Sequence, residues 1–148
     1  MDIRGFEVVS AFDGQNIQLP TRKTADSAGY DIESAETVTI RPGKTALIAT
    51  GLKAFMNYDE YLAIFIRSSM AIKRHMMLVN STGIIDSDYY NNEENEGHIM
   101  IPLLNMGDEV VTIQKGERIA QGIFHKYLLT TDDKATGTRT GGIGSTGK

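Results

Sequence analysis

The 148-residue sequence contains no cysteine and only three prolines. The lack of cysteine excludes disulfides and cysteine-ligated zinc and suits a reducing compartment, so we expect a cytoplasmic protein. No apolar run approaches the roughly 18 residues of a membrane-spanning helix, and the N-terminal residues do not have the pattern of a signal peptide. The net charge of −4 argues against broad electrostatic binding to nucleic acid. We therefore expect neither a membrane nor a nucleic acid as partner.

Short runs with β-strand patterning follow one another at close spacing and are separated by turn residues. This arrangement is typical of an all-β sandwich or barrel and not of alternating βαβ units, and the length fits one domain. Residues 61–66 form a nearly continuous apolar run, as expected for a strand buried on both faces. The predicted strands are residues 38–40, 45–50, 61–66, 99–103, 110–113 and 119–127.

One segment has helical periodicity. Met70, Lys73, Arg74 and Met77 recur at helical spacing, which predicts one short helix over residues 69–77. A serine at its start, Ser68 or Ser69, is expected to cap it.

Two segments have polar, turn-forming compositions. Residues 90–96 lie between two predicted strands and are expected to form a solvated loop. Apolar periodicity ends at Thr130, and residues 135–148 consist largely of Gly, Thr and Ser. We therefore expect a β domain over residues 1–130 and a flexible Gly-rich tail over residues 131–148.

The segment Asn80–Tyr90 places two acidic residues and an aromatic residue beside a glycine in an otherwise apolar run. Regular strand alternation predicts Tyr89 on one face and Asp86 and Asp88 on the other. Gly83 leaves a gap where a flat ligand could approach backbone groups. The segment is thus either a binding site with a carboxylate that orients water, or a polar hairpin turn that uses Gly and Asp for local geometry.

Two other segments are candidate anion sites. Arg67-Ser68-Ser69 joins the end of a buried strand to the predicted helix, so an arginine, two hydroxyls and helix N-terminal amides converge there; the alternative is a helix cap with a paired arginine. The glycine-rich segment Thr140–Gly147 follows Arg139 and can wrap amides around phosphates, although it lacks the spacing of a Walker loop.

Two further segments, Ser27–Ile32 and Gly116–Gln121, complete a set of five. In this order, from about residue 25 to the C-terminus, the five segments resemble the motifs of the trimeric dUTP diphosphatases (dUTPases). The resemblance implies an all-β fold, a distorted jelly-roll β-barrel. It implies hydrolysis of dUTP to dUMP and pyrophosphate by a homotrimer, with shared active sites that are each completed by a neighbouring subunit's tail.

The resemblance also implies roles for individual residues. Asp86 would act as general base on the attacking water, and Tyr89 would pack on the deoxyribose and leave no room for a 2′-hydroxyl. A magnesium ion held by the triphosphate and by waters would have Asp31 in its hydration shell, with no direct protein ligand. Uracil would be bound by Asn80, Gly83, Ile84, Ile85 and Met100. The phosphates would be held by Arg67, Ser68, Ser69 and Gln121. The lid over the nucleotide would consist of Arg139, Ile143, Gly144 and Ser145.

The sequence departs from the family pattern at two positions. Ile143 stands where the family commonly has a phenylalanine over the uracil, so the lid is apolar but cannot stack as an aromatic ring. Ile66 stands where proline is common, which we interpret as a structural change. Arg118 is three residues from Gln121, so regular alternation predicts that it points away from Gln121 and supports the structure without binding phosphate.

Two other functions fit parts of the sequence. A dCTP deaminase, possibly bifunctional, shares a similar fold and an Arg-Ser-Ser motif but needs a glutamate placed for amine chemistry. A nucleotide-gated protein-binding switch would use the polar loop as its contact surface. A metal site built from the three histidines is not expected, because His75, His98 and His125 share no liganding spacing.

Overall fold

The computed structural model describes residues 3–144, in which β-strands predominate. The strands are β1 (Gly5–Val8), β2 (Tyr30–Glu33), β3 (Val38–Ile40), β4 (Thr45–Ala49), β5 (Leu52–Phe55), β6 (Glu60–Ile66), β7 (Met76–Leu78), β8 (Gly83–Asp86), β9 (Met100–Asn105), β10 (Val111–Ile113) and β11 (Arg118–Lys126). In this part of the chain the other regular elements are one α-helix, α1 (Ser68–Arg74), and two 3₁₀ turns at Ser10–Phe12 and Ser87–Tyr89. The predicted all-β class with one short helix is confirmed.

The strands pair antiparallel into four sheets. The largest has the order β2-β11-β6-β8, a second has the order β4-β9-β7, and two pairs are formed by β1 with β5 and by β3 with β10. The architecture resembles a jelly roll, but the strands of the described region do not pair into one closed barrel. Every predicted strand is present, with ends that differ by no more than about two residues.

Strand β6 has the central position that its continuous apolar run predicts. It pairs with β11 along one edge and with β8 along the other, and Leu62, Ala63 and Ile64 are almost fully buried. Strand β9 alternates instead, with every second residue buried, because one of its faces lies against the core. The core cluster joins the sheets through residues that include Ile32, Ile40, Ile48, Leu62, Met70, Met76, Leu78, Ile99, Ile101, Leu103, Ile113 and Ile119.

The helix is shorter than predicted and is not capped by a serine. Helix α1 ends at Arg74 because His75 adopts a left-handed conformation, with φ of 56°. Met77 then belongs to β7, which pairs with β9. At the other end the N-cap residue is Arg67, without a side-chain cap, so Ser68 and Ser69 are the first helical residues and not caps.

The alternative interpretation of residues 80–90 as a polar hairpin turn does not hold. Strand β7 pairs with β9, whereas β8 pairs with β6, so the intervening turn links two different sheets. This turn contains Asn80 and Ser81, and Ser81 has a positive φ of 59°.

Of the two polar segments, the loop after Tyr89 is only partly exposed, whereas the first part of the tail is exposed as predicted. In the loop after Tyr89, Glu93 and Glu94 are exposed as predicted, but Asn92 is 8% exposed and Gly97 is buried. Residues 127–138 are exposed and have neither helix nor strand. No helix within residues 3–144 is long and apolar enough to cross a membrane.

Candidate active site

A cavity of about 290 Å³ lies between β8, β9 and the described end of the tail. All five residues predicted to bind uracil line it, and so do Asp86 and Tyr89. Three lid residues, Arg139, Ile143 and Gly144, also line it; Ser145 lies outside the described residues. The lining consists of Leu47, Ile64, Leu78, Asn80, Gly83, Ile84, Ile85, Asp86, Tyr89, Met100, Pro102, Arg139, Gly142, Ile143 and Gly144.

The strands beside this cavity present backbone groups to it. Strand β8 is at the edge of its sheet, so among the described strands only β6 pairs with it. In β9, Met100 pairs with Ala49 but lies beyond the part of β9 that pairs with β7. Edge segments of this kind offer N–H and C=O groups in a fixed order, which suits recognition of a planar base.

Gly83 has a packing role that the sequence did not indicate. It is the register partner of Ile64 in β6, and a Cβ at position 83 would lie 3.0 Å from the Cβ of Ile64. The glycine therefore allows Ile64 to reach the cavity wall, where it forms part of the apolar lining.

Tyr89 and Asp86 line the same cavity, so the predicted placement on opposite faces is wrong. Regular alternation ends at Asp86, because residues 87–89 form a 3₁₀ turn that brings the Tyr89 ring back to the cavity. Tyr89 is 6% exposed, and its hydroxyl donates a hydrogen bond of 2.6 Å to the carbonyl oxygen of His98. Burial raises the pKa of Tyr89, so the hydroxyl keeps its proton. The protonated hydroxyl remains the donor of the hydrogen bond to His98, which holds the ring in place.

Arg139 connects the tail to this cavity. Its Nη2 lies 2.7 Å from Oδ2 of Asp86, and its Nε lies 2.7 Å from Oδ1 of Asp88. The guanidinium carbon also lies 5.6 Å from the centre of the Tyr89 ring, within the range of a cation–π contact. Only 7% of the Arg139 side chain is exposed. The tail arginine is thus seated between two carboxylates and an aromatic ring, all in one short segment of the chain.

A second, more open cavity of about 360 Å³ collects the residues predicted to contact phosphate and the hydrated magnesium. Asp31 lines it and forms an ion pair with Arg67, with 3.3 Å between Oδ1 and Nε. Gln121 is the register partner of Asp31 in the neighbouring strand. The lining consists of Lys23, Ser27, Gly29, Asp31, Arg67, Ser68, Ser69 and Gln121.

Arg118 lies on the same face of the sheet as Gln121 and contacts Asp31, which corrects the prediction from alternation. Strand β11 has an irregularity between Arg118 and Ala120, so that Arg118 pairs with Glu33 while Gln121 pairs with Asp31. A β-bulge inserts one extra residue into a strand, so two residues that are three positions apart then point to the same face of the sheet. The Nη1 atom of Arg118 lies 3.4 Å from Oδ2 of Asp31, and the two arginines thus share one carboxylate.

The two cavities of one chain lie far apart. Asp86 pairs with Tyr61 near the start of β6, whereas Arg67 follows the last residue of β6. Six residues of extended strand separate Tyr61 from Arg67, which corresponds to about 20 Å. No residue lines both cavities within the described part of the chain.

Several site residues were missed by sequence reasoning. Asp88 binds the tail arginine, and Lys23 and Ser27 line the second cavity. A Cβ at Gly29 would collide with Oε1 of Gln121, so this glycine leaves room for the glutamine side chain. The Ser27–Ile32 motif contained the signal for Gly29, but Lys23 lies outside every motif.

No group of three or more His, Asp or Glu side chains that could hold a metal ion occurs among residues 3–144. The carboxylate nearest to the second cavity's arginines is that of Asp31, whose two oxygens are both within 3.4 Å of a guanidinium nitrogen.

Comparisons with known proteins agree with one another. The sequence model of the dUTPase family matches residues 15–147. A deoxyuridine 5′-triphosphate nucleotidohydrolase of Lactococcus lactis is 51% identical over 149 residues, which cover 99% of both chains. The enzyme of the same name from Escherichia coli K12 is 37% identical over 143 residues, 91% of each chain. The crystal structure of a dUTPase from Streptococcus mutans superposes with a TM-score of 0.81 at 46% identity, over 85% of this chain and 98% of the other.

Proposed function

Because the chain belongs to the dUTPase family, we propose that it hydrolyses dUTP to dUMP and pyrophosphate, with water attacking the α-phosphorus in line. The observation that carries this function is the convergence in one cavity of a carboxylate, a buried tyrosine ring and exposed strand edges. A planar base, a sugar and a reacting phosphate need these three features in this proximity.

Asp86 is the proposed general base. It lies at the end of β8, where the chain leaves the edge strand that would hold uracil, so a water bound to its carboxylate can reach the α-phosphate. A carboxylate is a weak base at neutral pH, so most of the rate must come from positioning and from stabilisation of the phosphate charge.

Tyr89 is the proposed sugar-reading residue. Its ring is buried and its hydroxyl is bonded, so the ring presents a fixed wall to the ligand. A fixed wall rejects the additional 2′-hydroxyl of a ribonucleotide by contact and by loss of hydration.

Arg67, Ser68, Ser69 and Gln121 are the proposed phosphate ligands. They line one cavity with Asp31, whose carboxylate would accept hydrogen bonds from the waters of a magnesium ion held by the triphosphate. Such an ion, when bound, supplies positive charge to the phosphate oxygens. The ion pairs from Asp31 to Arg67 and Arg118 keep both guanidinium groups at this cavity.

The active form is proposed to be a homotrimer with shared sites. Asp86 and Arg67 must act on the same triphosphate, but in one chain about 20 Å of β6 separates them. This separation supports a site in which the first cavity of one subunit faces the second cavity of another. Residues 131–148 are proposed to act as a flexible tail that closes over a neighbouring subunit's site. In the structure Arg139 and Gly142 contact Asp86 and Glu94 of their own chain, and in the proposed trimer the same two residues of a neighbouring subunit would occupy these contacts. Sedimentation equilibrium should then give three times the mass of the 148-residue chain.

The dCTP deaminase alternative is not supported. No glutamate is among the described residues that line the first cavity, and the family match is to dUTPases. The protein-binding alternative has no specific contact that favours it. The absence of cysteine supports a cytoplasmic location.

One assay tests the proposed function. The protein is incubated with dUTP, dCTP, UTP and dTTP, each with magnesium and with excess EDTA, and pyrophosphate and ammonia are measured. We expect pyrophosphate from dUTP in the presence of magnesium, much less from the other nucleotides, and no ammonia. Ammonia from dCTP, or equal turnover of all four nucleotides, would contradict the proposal.

A further inference from the structure

The loop Asn92–Glu96 belongs to the predicted solvated loop, and hydrogen bonds give it a defined shape. Asn92 is buried, and its Nδ2 donates to the carbonyl oxygen of Tyr89 at 2.8 Å. Its Oδ1 accepts hydrogen bonds from the backbone N–H groups of Glu94 and Asn95, at 3.0 and 3.1 Å. The loop is therefore built on Tyr89, a residue of the first cavity.

The far end of the loop is fastened to the body of the protein. Glu96 forms an ion pair with Lys53, with 2.7 Å between Oε2 and Nζ, and accepts hydrogen bonds from Ser10. The hydrogen bonds from Lys53 and Ser10 lower the pKa of Glu96 to about 2, so this anchor stays charged. The loop is thus held at both ends.

Asn95 joins this loop to the Tyr89 side chain. Its Nδ2 donates to the Tyr89 hydroxyl oxygen at 2.9 Å, and its Oδ1 accepts the backbone N–H of Gly97 at 3.0 Å. The Tyr89 hydroxyl therefore accepts one hydrogen bond from the loop and donates another to His98. The ring position depends on Asn95 as well as on packing.

The same loop contacts the tail. Oε2 of Glu94 accepts a hydrogen bond of 2.7 Å from the backbone N–H of Gly142, which is buried. A Cβ at Gly142 would lie 2.8 Å from Nδ2 and 3.0 Å from Cγ of Asn95. Since Asn95 is itself held by hydrogen bonds, only a glycine fits against it in this position.

From these contacts we propose that the loop Asn92–Glu96 is the docking site for the tail, and that Gly142 is the residue it receives. Glu94 binds the tail backbone through a charge-assisted hydrogen bond, and Asn95 selects glycine by close approach. Because Asn95 also holds Tyr89, a docked tail and a correctly placed sugar-reading ring stabilise each other. Asn95 is a positioning residue and does not contact the substrate.

The proposal depends on the proposed function in one respect only, namely that dUTP is the nucleotide whose binding closes the tail. Glu94 is exposed, so Glu94→Ala does not threaten folding, and Glu94→Gln retains an acceptor oxygen without the charge. Glu93→Ala is the matched control, because Glu93 is exposed in the same loop. Each variant is also made in a chain that ends before Arg139.

The experiment measures the Kd of a non-hydrolysable α,β-imido analogue of dUTP with magnesium, and trypsin cleavage of the tail with and without this analogue. We expect Glu94→Ala to weaken analogue binding by about tenfold in the full chain and to remove most of the protection of the tail. The Kd and the tail protection of Glu94→Gln should lie between those of Glu94→Ala and wild type, and those of Glu93→Ala should match wild type. In the truncated chain, Glu94→Ala should have no effect on the Kd.

Equal tail protection in wild type and Glu94→Ala, or the same loss of affinity in full and truncated chains, would overturn the docking role. Turnover of dUTP by the wild-type protein is measured in parallel. If wild type turns over dUTP and Glu94→Ala leaves the protection of the tail unchanged, only the docking role is refuted. If wild type does not turn over dUTP, the proposed function is refuted.

Discussion

Arg139 of the tail and Asp86 at the end of β8 form an ion pair, with 2.7 Å between Nη2 and Oδ2. The proposed base and the lid arginine therefore bind each other. Asp88 holds the same guanidinium through Nε. When the triphosphate enters, its oxygens offer Arg139 more negative charge than these carboxylates, so we expect the arginine to transfer to phosphate and leave Asp86 to the water.

Replacing Asp86 by Asn keeps the size of the side chain and removes the base. We expect kcat to fall by about 10²–10⁴-fold, because general base catalysis contributes this much. Affinity for the imido analogue should stay within a few-fold, since Asp86 is not a proposed phosphate ligand. Turnover within a few-fold of wild type would move the base to another residue.

Truncation before Arg139 should leave the core folded but remove most catalysis. Among residues 3–144 the core cluster contains none beyond β11, and residues 127–138 have no regular structure. We expect a loss of about 10³-fold or more, comparable with removal of an arginine that stabilises phosphate charge. Lys134→Ala, an exposed tail substitution, is the control and should retain wild-type turnover. A truncated chain that turns over dUTP at a near-normal rate would refute the claim that the tail acts as a lid needed for catalysis.

Two substitutions at Tyr89 separate its ring from its hydroxyl. Tyr89→Ala removes the wall against the sugar and should narrow the ratio of kcat/KM between dUTP and UTP. Tyr89→Phe retains the ring and should preserve this ratio. It should nevertheless lower the free energy of unfolding by about 1–3 kcal/mol, because the His98 carbonyl and the Asn95 amide lose a buried partner. A ratio unchanged in Tyr89→Ala would mean that another group reads the sugar.

His98 predicts a pH dependence of stability. Its Nε2 accepts a hydrogen bond of 2.9 Å from the backbone N–H of Gly51, and burial lowers its pKa below the ordinary value of 6.5 despite the charges of Glu36 and Glu96. The unfolded chain therefore takes up a proton at a higher pH than the folded one. Stability from this residue is fully present above about pH 6.5 and is lost as the pH falls toward the lower folded pKa.

Urea unfolding at about pH 8 and about pH 5.5 tests this dependence. The free energy of unfolding should decrease more between these two conditions in wild type than in His98→Gln, which cannot take up the proton. Equal decreases in the two proteins would show that His98 does not contribute.

Six of the eleven described strands were predicted, because their signal is local. The apolar run of β6 and the alternation in β9 each lie within a few consecutive residues, and these patterns predict which side chains are buried. The motif residues that line each cavity were identified through the family resemblance, since several of them are proposed to use backbone groups, which composition does not reveal.

The errors arose where a local irregularity changes which face a side chain points to, or changes the direction of the chain. The 3₁₀ turn after Asp86 brings Tyr89 to the cavity, the bulge after Arg118 reverses its face, and the left-handed His75 ends the helix. The internal order of the loop Asn92–Glu96 was not predicted for another reason. Its anchors, Ser10 and Lys53, are distant in sequence, so its order depends on contacts that only the fold creates.

The central claim is that a single active site combines Asp86 of one subunit with Arg67 of another. Asp86→Asn and Arg67→Ala chains, each inactive alone, are unfolded together, refolded as a mixture and assayed for dUTP hydrolysis, with each variant refolded alone as control. Random mixing should restore about a quarter of the wild-type turnover, because this fraction of shared sites receives an intact Asp86 and an intact Arg67. Mixed oligomers, verified by mass, that remain as inactive as the separate variants would show that each site lies within one chain and would contradict the claim.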